Sequence, residues 1–447
     1  MRRAYNSGNW EKSRFYANKL LPHSGESDLA KSVIVRSYWN QGDLEKLGEL
    51  LTVWQDSELD FIREKYEKVV KEIDEKKKNA IGKYESPCPD ILVDWNPDNL
   101  ISNYFQEEAR LWLKTPKTWV YWDMPSAFDL NKTSHSLLEL AAELLLRPWE
   151  KSTKKSFSTK RDFGKNYSLS YSAGTDSTAA MLLMPENTIL GYHQRDYDSM
   201  IDHRNALNLI DYVKKERDVI IVKSNHEQIR SKYGKSNGFS TDYAAGVHLI
   251  LLADYLDLKG IAFGLVIENG WLEKGAKYRN FAESSHWKYW SKRFNEAGLH
   301  LVLPVNMISE AGCMKICHSN QIGQHLNSCM RGNGEKGCER CWKCFHKNGP
   351  IGRKIDCSSY EISTYLQKRP LRTAMHALWA IKKMNLEHLV PDLKPLLEQD
   401  FSWWENYYPP GLELLPIDLR ETIRERLSEY LELMNDHSKL TNVSIFT

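Results

Sequence analysis

The chain is expected to be an α/β protein built on a doubly wound parallel sheet, with mainly helical regions before and after it. Two observations predict this. From Asn166 onward short apolar, strand-like runs alternate with helical stretches, the order that builds parallel sheets. On both sides of that region helical periodicity dominates. The length, 447 residues, exceeds one ordinary core and suggests two or three domains. The expected division is a mainly helical domain over 1–150, a linker over 151–165, the α/β domain over 166–357 and a helical region over 358–447.

The first block reads as helix–turn–helix punctuation: Trp10 to Leu21, Ser27 to Trp39 and Asp43 to Trp54. No clean repeat period supports a repeat array. A longer amphipathic helix follows to about Ile81, with Leu59, Ile62, Tyr66, Val69 and Ile73 spaced by three and four. Its charged side reads as a solvated face in preference to a coiled-coil contact. Ser86-Pro87-Cys88-Pro89 ends the block. A strand over Thr118 to Trp122 and a helix over Ser136 to Leu146 come next. Lys151 to Lys165, rich in Lys, Ser and Thr, reads as a linker or flexible surface segment.

The expected α/β elements are strands at Tyr167 to Ser172, Thr188 to His193, Val219 to Val222, Gly260 to Gly264 and Leu301 to Leu303. Helices are expected around Ala206 to Val213, Tyr243 to Leu256 and Ala282 to Ala297. In such a sheet ligands bind beyond the carboxyl ends of the strands. After Cys357 helices are expected at Tyr360 to Leu366, Thr373 to Met384 and Pro416 to Met434. The aromatic stretch Phe401 to Pro410 between them reads as packing against the α/β domain in preference to a partner groove.

Ser172-Ala173-Gly174-Thr175-Asp176-Ser177-Thr178 lies between the first α/β strand and its helix. Small residues let backbone N–H groups approach a phosphate, and the helix start adds partial positive charge. Ser172, Ser177 and Thr178 add hydroxyl donors. Asp176 cannot hold phosphate itself but can cap the helix or hold Mg²⁺ on a pyrophosphate. The same string also makes an ordinary helix cap; its position after the first strand favours the anion site. No Gly-Lys-Ser/Thr follows, which argues against a P-loop NTPase or kinase.

Of eight cysteines, seven lie between Cys313 and Cys357. Within them Cys329-x8-Cys338-x2-Cys341-x2-Cys344 can surround one tetrahedral Zn²⁺ in a closed structural site. The same thiol count suits an iron–sulfur cluster; zinc is the expectation. Clustering of this kind points to metal binding over disulfides and to a reducing, cytoplasmic setting. A formal charge of +2 neither requires nor excludes nucleic acid. No apolar run reaches transmembrane length and the first residues lack a signal peptide's apolar stretch, so no membrane association is expected.

Together these residues resemble a known family. The loop is similar to the Ser-Gly-Gly-x-Asp-Ser signature of PP-loop ATP-pyrophosphatases, with Ala173 replacing one glycine. The cysteine spacing matches the zinc site of 7-cyano-7-deazaguanine synthases. The match spans about Tyr167 to Asn348 and includes Gln194-Arg195 after the second strand. Glu268-Asn269 follows the fourth strand, and Tyr278-Arg279 falls where the family's substrate loop would be. The resemblance implies a PP-loop (HUP-like) fold and ATP, Mg²⁺ and Zn²⁺ as cofactors. It implies that ATP is split to AMP and pyrophosphate as a carboxylate is adenylated, then attacked by ammonia or another amine. Its substrate there would be 7-carboxy-7-deazaguanine. Residues 172–178, with His193 and Arg195, would contact ATP, Asp176 and Ser177 acting in catalysis; Glu268, Tyr278 and Arg279 would contact substrate. Two departures stand out: Ala173, tolerable at negative φ, and Ser309-Glu310 where the family has Asp-Lys, a charge reversal. The helical blocks have no counterpart in the small synthases.

Two alternatives remain open. The same chemistry can modify a protein, nucleic acid or surface sugar docked by the helical extensions, since PP-loop relatives occur in anti-phage defence and sugar amidation. A silent nucleotide-binding scaffold is the other. Cys313-x3-Cys317-His318 reads as packing on the zinc loop in preference to a second metal or a thiol catalyst. Lys343, His346 and Lys347 read equally as phosphate contacts or a solvated face. Lys154, Lys155, Lys160 and Arg161 read as a solvated linker in preference to a nucleic-acid contact.

Overall fold

The computed structural model describes the chain except residues 7–8, 24, 42, 81–86, 151–155, 196–203, 236–237, 330, 333, 335 and 446–447, together with the side chains of 72–80. Five helices open it: α1 (Arg2–Asn6), α2 (Trp10–Leu20), α3 (Ser27–Gln41), α4 (Leu44–Val53) and α5 (Asp60–Ala80). Asn9 and Asp43 cap α2 and α4 by accepting from Lys12 N and Lys46 N, each at 3.1 Å. These helices bury two small clusters of their own, one around Leu47, Leu51, Leu59 and Ile62, the other around Ala17, Ala30 and Ile34.

Three strands follow, β1 (Tyr104–Glu107), β2 (Arg110–Lys114) and β3 (Trp119–Asp123), then α6 (His135–Leu146). The α/β region adds β4 (Asn166–Ser170), α7 (Thr175–Leu183), β5 (Ile189–Arg195), α8 (Arg204–Val213), β6 (Val219–Ser224), α9 (Ile229–Lys232), α10 (Val247–Leu251) and β7 (Leu258–Ala262). A hairpin, β8 (Leu272–Glu273) and β9 (Lys277–Tyr278), precedes α11 (Ser285–Glu296), β10 (His300–Val302) and α12 (Glu310–His318). The last helices are α13 (Tyr360–Gln367), α14 (Ala374–Lys383), α15 (Lys394–Leu397), α16 (Ile417–Tyr430) and α17 (Ser438–Thr441).

The expected α/β architecture is present as a mostly parallel eight-stranded sheet in the order β1-β2-β3-β6-β5-β4-β7-β10. The five strands from β6 to β10 are parallel. The β1–β3 meander joins antiparallel at β6. The chain winds from β4 through β5 to β6, then crosses to β7 on the other side of β4. The switch point therefore lies between β4 and β7. Successive residues face opposite cores: Ile261 and Leu301 join one cluster, Ala262 and Val302 the other. The first core carries α6, α10, α11 and α14; the second carries α7, α8, α12 and α16.

Three expectations are corrected here. Residues 104–146 do not go with the N-terminal helices. Their strands extend the sheet, and α6 is buried from Ser136 to Leu146, so the expected boundary at 150 falls inside the sheet-bearing unit. A helix so rich in leucine and alanine must bury its apolar residues, and here α6 packs against α10 and α11 in the first core.

Second, the described part of the expected linker, residues 156–165, is docked through Arg161 and Ser158. Arg161 is 7% exposed and donates to Asp254 Oδ1 (2.6 Å), Gly298 O (2.6 Å) and Ala253 O (3.1 Å). Ser158 N donates to Glu139 Oε2 at 2.8 Å. A polar composition conceals this because one guanidinium meets three buried acceptors. Lys154 and Lys155 lie outside the described residues.

Third, the expected helix over Tyr243 to Leu256 is shorter. A 3₁₀ turn (Asp242–Gly246) leads into α10, and turns follow it. The C-terminal region is part of both cores; Trp403, Trp404, Tyr407 and Tyr408 are buried, as packing required. No helix among the described residues is long and apolar enough to cross a membrane.

Candidate functional site

The loop after β4 opens onto a cavity of about 980 Å³ at the carboxyl edge of the sheet. Its wall includes the whole run Ser170 to Ser177, with Tyr192, His193, Arg195, Phe239, Trp342 and Lys347 around it. The loop is wound tightly on Ser177. Its Oγ accepts from Ser172 N and Gly174 N, each at 3.2 Å, and lies 3.0 Å from Ser172 Oγ. Ser328, just before the first zinc cysteine, meets Thr175 N (2.9 Å) and Thr175 Oγ1 (2.7 Å). Thr178 is turned inward to Tyr171 OH at 3.3 Å and is absent from the cavity wall.

Ala173 has φ 54°. The condition under which alanine would fit the loop without strain, negative φ, is not met. The residue holds the left-handed turn that a glycine adopts freely, at about 1 kcal/mol. A second constraint comes from β7. A Cβ on Gly264 would lie 3.0 Å from Ser177 N and 3.1 Å from Asp176 C. The strand end can approach the first turn of α7 because residue 264 has no side chain.

Asp176 projects from α7 toward Lys347, whose Nζ lies 2.6 Å from Asp176 Oδ1 and 2.8 Å from Glu310 Oε2. Lys347 is 7% exposed, so the solvated-face reading fails for it. It belongs to a π-helical turn, Cys344–Asn348, that leaves the zinc cysteines. Glu310 opens α12, and its backbone N–H donates to Glu268 Oε1 at 2.9 Å. Burial opposes the ionised Glu310, but the Lys347 ammonium 2.8 Å away is the largest opposing influence, and the carboxyl lies well below its ordinary value. Burial, then the Glu310 charge, push Glu268 well above its own. Lys347 rises above its ordinary value because Asp176 and Glu310 outweigh burial. Lys347 thus lies between Asp176 and Glu310, whose charges favour its ammonium form against burial.

His193 and Arg195, expected at the end of their strand, both line the cavity. Arg195 pairs with Glu227 at 2.7 Å, and His193 is buried against His226, ring centroids 4.3 Å apart. Of the three residues expected to contact substrate, none is on the cavity wall. Glu268 lies under Glu310. Arg279 donates from Nε to Gly270 O at 2.6 Å and from Nη2 to Asn269 O at 2.5 Å. Tyr278 N donates to Val443 O at 2.9 Å. Their place in sequence suggested substrate, but Arg279 is turned onto the backbone that follows β7 and Tyr278 pairs with the C-terminal segment.

The four zinc-type cysteines converge. Cys329 and Cys341 sulfurs are 3.9 Å apart, as are those of Cys338 and Cys344, and all four lie within 4.8 Å of one another. A tetrahedral ion with Zn–S of about 2.3 Å separates its sulfurs by roughly 3.8 Å, so the set fits Zn²⁺. Backbone N–H groups of Cys338 and Cys344 donate to Cys329 Sγ (3.2 Å) and Cys341 Sγ (3.4 Å), as thiolates require.

Cys313 and Cys317 pack under α7 instead of on the zinc loop; Cys317 Sγ lies 3.4 Å from Thr175 O. Burial, then Asp176, push both thiols upward, which leaves them unreactive at neutral pH. Sequence reasoning missed Ser328 and His376. Neither sits in a motif, and each reaches the site only through folding.

Over residues 289–442 the chain matches the model of a family described as a family of unknown function (DUF6395). That stretch holds the cysteine cluster, Glu310, Lys347 and His376 but excludes the Ser172–Thr178 loop. No curated protein matches the chain.

Proposed function

We propose that this protein is an ATP-dependent adenylating enzyme of PP-loop type, releasing AMP and pyrophosphate as it activates a carboxylate for attack by ammonia or an amine. The observation that carries the reading is the Ser172–Thr178 turn at the β4/β7 switch point. It is wound on Ser177, starts a helix and faces a cavity large enough for a nucleotide. Ser172, Gly174, Thr175 and Ser177 would hold phosphates, and His193 and Arg195 would border the nucleotide. Asp176, partly open to the cavity, would hold Mg²⁺, which supplies charge neutralisation on pyrophosphate.

Lys347 supports the same reading. The charge lost where Glu310 replaces the family's lysine is restored from another element, because Lys347 lies between Glu310 and Asp176. Loss of the Asp176 contact to an incoming phosphate would turn that ammonium onto the α-phosphate region, where it stabilises developing charge. Catalysis would rest on positioning and charge more than on a general base. The cavity's aromatic wall of Trp149, Phe239 and Trp342 suits a planar heteroaromatic acid such as 7-carboxy-7-deazaguanine.

The test is nucleotide turnover on zinc-loaded protein, with AMP, ADP and pyrophosphate read separately, with and without that acid and ammonia. AMP and pyrophosphate that rise with the acid are expected. ADP as product would overturn the mechanism, and AMP independent of the acid would reassign the acceptor.

A further inference from the structure

We propose that Glu310, His346 and His376 form a second divalent-metal site, separate from the four-cysteine cluster, that takes Zn²⁺ or a similar ion preferring nitrogen and oxygen donors. The three come from the start of α12, the π-helical turn and α14. Both histidines are 0% exposed. One ligand atom from each lies within 4.8 Å of the others. Nitrogen and oxygen donors about 2.1 Å from zinc stand roughly 3.4 Å apart. His346 Nδ1 is 3.9 Å and His376 Nε2 3.7 Å from Glu310 Oε2, so the set closes on an ion with shifts of a few tenths of an ångström.

Hydrogen bonding decides which atom of His346 faces inward as a lone pair. Tyr365 OH lies 2.6 Å from the Arg372 carbonyl, which can only accept. The one phenolic proton goes there. Tyr365 oxygen must therefore accept from His346 Nε2, 2.7 Å away, and Nε2 carries the hydrogen of the neutral ring. Nδ1 is left bare, buried and without a hydrogen-bond partner, pointing at a carboxylate oxygen. Two acceptors facing each other in a buried place call for a cation between them.

His376 has the matching outer partner. Its Nδ1 lies 3.6 Å from Glu268 Oε1, too far for a hydrogen bond as it stands, and a closer approach on metal binding would make the carboxylate–histidine pair that orients metal ligands. Its Nε2 also lies 3.1 Å from the His346 carbonyl, a contact the ion would replace. Lys347, 2.8 Å from Glu310 Oε2, is the competing cation. An ion on Glu310 would leave Lys347 to Asp176 alone, so the second site would set how that ammonium is shared. The inference concerns binding and stands whether or not the protein adenylates anything.

The test is metal stoichiometry of the full chain after equilibrium dialysis against Zn²⁺, with His376→Gln and Glu310→Gln beside the wild type. About two zinc per chain are expected in the wild type and about one in each variant. In parallel, Co²⁺ titration of the wild type should show sulfur-to-cobalt charge-transfer bands saturating first, then weaker bands of a nitrogen/oxygen site. The Co²⁺ spectrum decides the matter even if a variant folds poorly. One equivalent in the wild type with thiolate bands alone, or variants that keep both equivalents, would overturn the proposal.

Discussion

Lys347 Nζ stands 2.6 Å from Asp176 Oδ1, although 171 residues separate the two in sequence. The contact joins the phosphate-type turn to the cysteine cluster, because Lys347 follows Cys344 by one π-helical turn. Lys347→Met should leave Glu310 buried without its ammonium and cost about 3 kcal/mol, somewhat less because Asp176 is partly exposed. Combining it with Glu310→Gln should recover a large part of that. Urea denaturation of the single and double variants reads it directly. Equal stability of Lys347→Met and wild type would mean the ammonium is not held there.

The same turn links zinc to the loop. Removing zinc with a chelator should lower the thermal midpoint and weaken ATP binding together, by about tenfold or 1.4 kcal/mol for binding. Calorimetric titration with ATP before and after chelation measures it. Unchanged affinity in a protein shown to be zinc-free would separate the two sites.

Gly264→Ala tests the packing of β7 on α7. The three nearest atoms that its Cβ would meet are all backbone, at 3.0, 3.1 and 3.2 Å, and cannot swing aside. The variant should lose about 2 kcal/mol and bind nucleotide worse, since the clash falls on the loop itself. By contrast Ala173→Gly should alter stability by less than about 1 kcal/mol. Relief of the left-handed turn, about 1 kcal/mol, is offset by a lost buried methyl, about 0.8 kcal/mol. A large loss in Ala173→Gly would argue that residue 173 is not left-handed.

His193, His226 and His248 lie together behind the cavity, with Arg195 and Glu227 beside them. Burial lowers all three, His248 to about 4, with neighbouring positive charge adding to the shift of His193 and His226. A histidine depressed on folding binds its proton more readily unfolded. Its contribution is therefore intact above the unfolded value of about 6.5 and is lost as pH falls toward 4. The expectation for His248 alone is a loss of roughly 3 kcal/mol between those limits. Between pH 6.5 and 4 the denaturation midpoint of wild type should fall more steeply than that of His248→Phe. Parallel pH profiles would refute the assignment.

Local patterns of residues determined a good deal. Alternating apolar runs predicted β4, β5, β6, β7 and β10, because a buried parallel strand must be apolar over several residues; the β8–β9 hairpin was not predicted. The Ser172–Thr178 string placed a tight turn at a helix start, and the cysteine spacing placed four thiols around one point, since few residues separate them. What only tertiary structure decided involves partners far apart in the chain. The left-handed φ of Ala173 appears only in the folded loop, where a glycine would be the residue expected from sequence. Arg161 looks like part of a solvated linker until Gly298 and Ala253 present their carbonyls. Tyr278 and Arg279 are off the cavity wall because Val443, Gly270 and Asn269, distant or non-periodic in sequence, present the carbonyls they meet. The Lys347–Glu310–His376 cluster depends on α12, the π-helical turn and α14 meeting at one depth, and local periodicity does not register contacts between elements so distant in sequence.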